Sequence, residues 1–567
     1  MQDIKFDLFN RSLKACKIVF YYSLLFSFIS NLMMLAVPIY SLQVLDRVIS
    51  SGSLETLLML TLVVMLALVA LSLIQIVRSE ILIRLGNWLD RKLSPLLFEH
   101  GISESVTKKN IAGSQHLQDL ASIKGFLTGA GINALLDAPW SLIFIIVLFF
   151  IHPSVGIISI LGGAVLLTLA VINELKTKPL LNEASEYSMK SSQYADLASR
   201  NAEVIEAMGM MENVSKIWRK VADKGLSLQS AASGRSAIFS GITRFLRMSI
   251  QIAVTGMGAY FTLKAEMTVG SMIASGILVG RALAPFENAI ASWKSFVQAR
   301  KSFSRLSKSL ERAVERPDTI ELPEPAGNIN VENIYFAPAG VQKPTIKGMS
   351  FSLDAGDVLA IIGPSAAGKS TLAKLLTGVW KTASGNVRLD GADVYSWNRN
   401  HFAKHVGYLP QDVELFSGTV KDNIARMDVD ANDQDIINAA INAQVHDLIL
   451  RLPNGYETEI GVGGSYLSAG QRQRIALARA FYGNPKFIVL DEPNANLDSA
   501  GDVALAKSIA VAKENGSTLI IISHRPSILQ IVDKILVMQD GTVAKFGSRD
   551  DILGDLKGNN QGKLKAV

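Results

Sequence analysis

Residues 363 to 371 run Gly363, Pro364, Ser365, Ala366, Ala367, Gly368, Lys369, Ser370, Thr371, which fits the phosphate-loop pattern G-x-x-x-x-G-K-[ST]. The chemistry is nucleotide binding. Glycines let backbone N–H groups close around phosphate oxygens, Lys369 reaches the β- and γ-phosphates, and Ser370 ligates Mg²⁺. Many nucleotidases share this nonapeptide. A second group narrows the choice: Asp491 and Glu492 follow the apolar stretch Phe487 to Leu490, 122 residues beyond Lys369. At that place Asp491 would hold Mg²⁺ through water and Glu492 would polarise an attacking water. Seen alone, a paired acid at a strand end is often ordinary surface.

The elements that must position these residues can be read locally. The apolar strand Val358 to Ile362 precedes the loop and a helical run, Leu372 to Leu376, follows it. From 328 to 556 strand-like and helix-like stretches alternate, Phe487 to Leu490 and Thr518 to Ile522 among the strands, which predicts an α/β domain. The stretch before it is different. Apolar runs occur at 18–40, 55–77, 136–151, 155–173, 248–264 and 268–290, most near the roughly 20 residues a helix needs to cross a bilayer. The expected fold is therefore multi-domain, an all-α six-helix transmembrane domain over 18–310 followed by the α/β nucleotide domain. A short N-terminus (1–17), a Pro-containing linker (311–327) and a polar tail (557–567) complete the division.

Bulk composition agrees. The 567 residues are 49% hydrophobic and only 19% charged, with a mean hydropathy of +0.28, which is greasy for a soluble chain. The net charge of +6 reads as basic cytoplasmic loops, and nucleic acid is not an expected partner. The single cysteine, Cys16, excludes an intrachain disulfide and a Cys-based zinc cluster. More apolar runs follow the first, so it reads as a retained helix.

Lys and Arg between the runs set the orientation. The first 17 residues carry four, 78–132 carries seven and 174–247 eleven, whereas the opposite loops carry only Arg47 and Lys264. Both termini and the long basic loops are thus expected in the cytoplasm. Helical signals in those loops, such as Ala202 to Trp218, predict that the transmembrane helices extend inward. Two readings stand for Arg281, inside the sixth run: it lines a polar pathway, or it is a structurally paired or snorkelling arginine. Asp137 and Glu287 lie nearer span ends.

Leu467-Ser468-Ala469-Gly470-Gln471, just 20 residues before Asp491, resembles the LSGGQ signature of ATP-binding cassette proteins. The resemblance implies that Ser468, Gly470 and Gln471 face the phosphate loop of a second cassette. The working unit would then be a homodimer with two composite ATP sites. It also implies a role for Gln411 in sensing the γ-phosphate and Mg²⁺, for His524 as the switch histidine, and for Asp498 in the loop coupling the two sites. ATP and Mg²⁺ are the implied cofactors. Where the family stacks adenine on an aromatic, Pro338 stands here, and Tyr335 or Phe336 would have to substitute.

Several longer segments, Asp491 to Asp498, Glu459 to Gly464, Asn201 to Met210 and Val279 to Pro285, resemble the type I secretion ATPases of the PrtD kind. That family implies export of an unfolded polypeptide, a protease or repeat-rich protein with an uncleaved C-terminal signal. It also implies a periplasmic membrane-fusion adaptor, a TolC-like outer-membrane channel and residence in the bacterial inner membrane. Ser103 to Leu120 and Val204 to Trp218 would transmit cassette closure. With about 17 residues before the first run, no peptidase domain is expected. The alternative is a lipid or multidrug exporter, although Val462 and Gly463 replace the Glu-Arg common in those proteins.

Overall fold

The computed structural model describes residues 4–108, 112–311, 322–338, 341 and 343–554. Most of the predicted linker 311–327, all of the tail 557–567 and residues 109–111 within the stretch Ser103 to Leu120 lie outside them. Two compact units divide the chain, one holding the helices up to Glu311 and the other the strands from Ile329 onward.

The first unit is helical throughout: α1 (Ile4–Met33), α2 (Ala36–Gln43), α3 (Leu54–Lys108), α4 (Ala112–Thr128), α5 (Ala130–Asp137), α6 (Ser141–Ile151), α7 (Pro153–Arg200), α8 (Ala202–Ala207), α9 (Met211–Leu263), α10 (Val269–Ala291) and α11 (Trp293–Glu311). Among the described residues six helical stretches are long and apolar enough to cross a membrane, Asp7–Ser51, Leu54–Val106, Ala130–Ile151, Pro153–Arg200, Met211–Leu263 and Val269–Ala291. Four of the expected runs fall within these stretches, and 248–264 and 268–290 overrun theirs by one residue. Their most apolar window, in α3, is only 6% buried, so its hydrophobic side chains point outward, as a lipid solvent requires.

Three local expectations need correction. The first helix starts at Ile4 and not near 18, because the polar residues ahead of the apolar run continue the same helix. The third span is not a continuous helix over 136–151: Pro139 sits in a 3₁₀ turn, Ala138–Trp140, that separates α5 from α6. Ala202 to Trp218 is likewise interrupted, since Gly209 takes φ +62° between α8 and α9, a left-handed value that ends a helix.

Polar side chains pin the interior. Asp137 accepts from Arg78 (2.6 Å), Ser27 (2.5 Å) and Asn31 (3.3 Å), joining α1, α3 and α5. Glu287 of α10 takes Arg244 (3.1 Å) and Arg247 (2.7 Å) from α9. Arg281 is exposed, while its neighbours Val279, Ala282 and Leu283 are buried with Phe144 and Leu166.

The second unit contains β1 (Ile329–Phe336), β2 (Ile346–Leu353), β3 (Val358–Ile362), β4 (Ser384–Leu389), β5 (Ala392–Asp393), β6 (Val406–Leu409), β7 (Phe487–Asp491), β8 (Thr518–Ile522), β9 (Lys534–Gln539) and β10 (Thr542–Ser548). An antiparallel sheet has the order β2-β1-β4-β5; the main sheet runs β10-β9-β3-β8-β7-β6, parallel except for the β9–β10 pair. Successive strand residues face opposite sides. Val358 and Ala360 of β3 therefore enter one core, with Ile475 and Leu505, while Leu359 and Ile361 enter the other, with Leu372 and Val331. A parallel sheet buried on both faces presents its chemistry beyond the carboxyl ends of its strands, where β3, β7 and β8 deliver Gly363, Glu492 and Ser523.

Candidate nucleotide site

Helix α12 (Lys369–Leu376) begins directly on the phosphate loop, three residues earlier than the run Leu372 to Leu376. Gly363 has φ +156°, and a Cβ there would stand 2.3 Å from the Met538 carbonyl oxygen of β9, so only glycine lets the loop leave β3 at this point. Gly368, with φ +97°, caps the helix. Ala366 also takes a positive φ, and Ala367 is buried. Pro364, Ser365 and Thr371 complete the turn around the helix N-terminus, whose free N–H groups and positive dipole end favour an anion. Lys369 Nζ donates to the loop's own carbonyls, Gly363 O at 2.7 Å and Pro364 O at 3.0 Å. Burial pushes its pKa down, with Glu492 and Asp491 pulling it back up.

The acidic side of the site is continuous with this loop. Ser370 Oγ lies 3.4 Å from Gln411 Oε1, and Gln411 Nε2 donates to Glu492 Oε2 at 3.1 Å. Gln411 follows β6 and Glu492 follows β7, so adjacent parallel strands bring together residues 81 positions apart. Asp491 is 1% exposed. Burial raises its pKa, opposed by a hydrogen bond from Ser370. Its Oδ1 has no hydrogen-bond partner among the described residues. An orphaned, desolvated carboxylate oxygen beside a hydroxyl and an amide oxygen is a donor set that suits Mg²⁺, which takes hard oxygen ligands.

Glu492 adopts φ +49°, an uncommon conformation for a non-glycine residue and one found where function constrains the backbone. Its N–H donates to Ile522 O (3.0 Å) and its carbonyl accepts from Gln473 Nε2 (3.1 Å). Gln473 is 2% exposed and also accepts from the Asn496 N–H at 2.9 Å. One amide side chain thus ties the helix after Leu467 to both the acid pair and the loop that follows it. Sequence reasoning missed Gln473; its position on the buried face of a helix beginning at Ser468 was the available signal.

That helix, α13 (Ala469–Phe481), begins inside the signature segment Leu467 to Gln471, because Ser468 and Gln471 form a capping box. Gln471 N donates to Ser468 Oγ (3.2 Å) and Ser468 N to Gln471 Oε1 (2.8 Å). Ser468 is exposed and Gln471 half-buried, and each side chain accepts from the other residue's backbone N–H; none of these hydrogen bonds reaches the phosphate loop of the same chain among the described residues. A Cβ on Gly470 would stand 3.0 Å from Asn496 O, so the signature turn lies close against the following loop. Asp498 caps α14 (Ser499–Glu514), accepting from Gly501 N at 2.7 Å. His524 is exposed just beyond buried Ser523 and is not joined by hydrogen bonds to Gln411 or Glu492. Tyr335 is 40% exposed, whereas Phe336 stacks on Trp380, with centroids 5.1 Å apart and planes at 13°.

Two family descriptions match the chain, "ABC transporter" over 346–495 and "ABC transporter transmembrane region" over 20–281. The chain is 38% identical over 547 residues to the type I secretion system ATP-binding protein PrsD of Rhizobium meliloti (strain 1021), covering 96% of this chain and 94% of that protein. The chain belongs to the type I secretion ABC exporters. Within this family it is also 28% identical, over 95% of its length and 76% of the relative's, to the alpha-hemolysin translocation ATP-binding protein HlyB of Proteus vulgaris. The fold of this exporter matches a bacterial Atm1-family ABC exporter with ATP bound at a TM-score of 0.82, 21% identity and 97% coverage of the chain. The exporter is accordingly a multi-pass membrane protein whose nucleotide domain binds ATP and couples its hydrolysis to transport.

Proposed function

We propose that this exporter moves an unfolded polypeptide, of protease or repeat-rich type and bearing a C-terminal signal, out of the cytoplasm across the bacterial inner membrane. The single observation supporting this reading is the near full-length similarity to a type I secretion ATP-binding protein. The working unit is a homodimer with both termini cytoplasmic, joined to a periplasmic membrane-fusion adaptor and a TolC-like outer-membrane channel.

In the ATP site the phosphate loop and Lys369 hold the triphosphate. Ser370 and Gln411, with Asp491 through water, would hold Mg²⁺, which when bound neutralises charge on the β- and γ-phosphates. Glu492 accepts the proton of the attacking water, His524 contacts the γ-phosphate, and Tyr335 lies on the adenine side. The Ser468, Gly470 and Gln471 turn of one chain, with Ser468 exposed and no hydrogen bond to its own phosphate loop among the described residues, serves the nucleotide of the second copy, and Asp498 couples the two sites. ATP closes the pair and hydrolysis releases it.

Deleting the protein and comparing secreted proteins tests the cargo. Loss of one or two large extracellular polypeptides is expected; altered lipid composition or drug tolerance with an intact secretome would overturn the reading. For the chemistry, Glu492→Gln should retain ATP and accumulate as a closed dimer, with phosphate release down by about a hundredfold or more. Normal turnover in that variant would remove Glu492 from its role.

A further inference from the structure

Apart from the nucleotide site, the helical unit contains a cluster of three metal-capable side chains that the transport chemistry does not use. His100 and Glu104 lie one turn apart near the end of α3, and His116 comes from α4. One donor atom from each lies within 4.8 Å of the others, the one such group among the described residues. His100 and His116 are 6% and 7% exposed, and their rings stack nearly parallel, with centroids 5.4 Å apart.

The spacing is what a four-coordinate cation needs. His116 Nε2 lies 2.8 Å from Glu104 Oε2, and His100 Nε2 lies 3.9 Å from the same oxygen. Ser309 Oγ of α11 stands 2.8 Å from His100 Nε2, 2.9 Å from Glu104 Oε2 and 3.4 Å from His116 Nε2. In a tetrahedral zinc site with bonds of about 2.0–2.2 Å, neighbouring donors stand roughly 3.3–3.6 Å apart. These atoms bracket that value, and small rotamer adjustments would equalise the edges. His116 Nδ1 is buried without a partner among the described residues, so the hydrogen-bond contacts of this ring there are made through Nε2, the atom facing the cluster.

We propose that His100 Nε2, Glu104 Oε2 and His116 Nε2 form a binding site for a zinc-class divalent cation, with Ser309 Oγ or a water in the fourth position. Two imidazoles and one carboxylate suit Zn²⁺ and related borderline metals, whereas Mg²⁺ and Ca²⁺ prefer all-oxygen sets. The cation takes the place of the protons that now bridge these atoms: each imidazole binds it through an unprotonated Nε2, and the hydrogen that His116 shares with Glu104 is released or moves to Nδ1. The result is a clasp between α3 and α4, with α11 alongside, in a unit that has no disulfide.

The test uses untagged, full-length protein in detergent, stripped with EDTA and then given Zn²⁺ or Co²⁺. About one zinc per chain should survive desalting, and cobalt should show the intense visible bands of a four-coordinate site. Glu104→Gln and His116→Gln should each weaken zinc binding by about a hundredfold and bleach those bands, while His405→Gln, in the nucleotide unit, should bind as the parent does. Wild-type protein that retains under about a tenth of an equivalent of zinc, or shows only the weak octahedral cobalt spectrum, would overturn the proposal. So would Glu104→Gln and His116→Gln proteins that bind as tightly as wild type. If either variant fails to fold, stoichiometry and cobalt spectrum of the wild type decide alone.

Discussion

The two units differ in what they leave exposed and in where they bury polar groups. In the nucleotide unit every residue of β7 and β8 is buried, and seven of the ten are aliphatic. In the helical unit Leu58, Leu62, Leu66 and Leu73 of α3 are exposed, while Ser27, Asn31, Arg78, Ser159, Asn173 and Thr177 are buried. Water drives apolar groups together in the first case. Lipid gives no such drive, so helices are held by close packing and by polar contacts such as the Asp137 hub. The nucleotide unit also buries polar groups, and three of them, Asp491, Lys369 and Gln473, lie at the proposed ATP site. On the proposed assignment the same class of side chain stabilises the fold in one unit and serves turnover in the other.

The largest test of that contrast is Asp137→Leu. Removing the partner of a buried arginine costs about 3–5 kcal/mol, so thermal unfolding of the helical unit should fall by many degrees while isolated nucleotide binding persists. An unchanged melting temperature would show the hub to be incidental. Next come two leucine truncations of equal size: Leu519→Ala, fully buried in β8, should cost about 2–5 kcal/mol, whereas Leu66→Ala, 70% exposed in α3, should cost under about 1 kcal/mol in a bilayer. Equal losses in reconstituted protein would erase the distinction. A smaller effect than that of Asp137→Leu or Leu519→Ala is expected of Gln473→Leu, which removes the bonds to Glu492 O and Asn496 N. Losing about 1.4 kcal/mol of transition-state positioning lowers kcat roughly tenfold with KM for ATP little changed; a shift in KM alone would assign Gln473 to binding.

Legibility in the sequence followed the same division. The phosphate loop, the acid pair and the strands that deliver them were readable because each motif is local and its neighbours alternate cleanly. The apolar runs were readable by composition, yet the helices extend far beyond them, α3 alone over 55 residues, since hydropathy marks where lipid lies and not where a helix stops. Pro139 and Gly209 were visible breakers overlooked inside favourable patterns. The start of α13 was missed although Ser468 and Gln471 show the spacing of a capping box. Pairings over long separations, Arg78 with Asp137 or His100 and Glu104 with His116, left no periodic trace; only the packed helices bring them together.

The backbone of Glu492 carries one more lesson. A left-handed φ of +49° is uncomfortable for glutamate and easy for glycine, so Glu492→Gly would relax the main chain while removing the carboxylate proposed to accept the proton. Heat resistance and turnover are thus set against each other at a single codon. A laboratory lineage of this exporter bred only for survival at high temperature would be drawn toward inert protein, and cells that must keep secreting are what hold the glutamate in place.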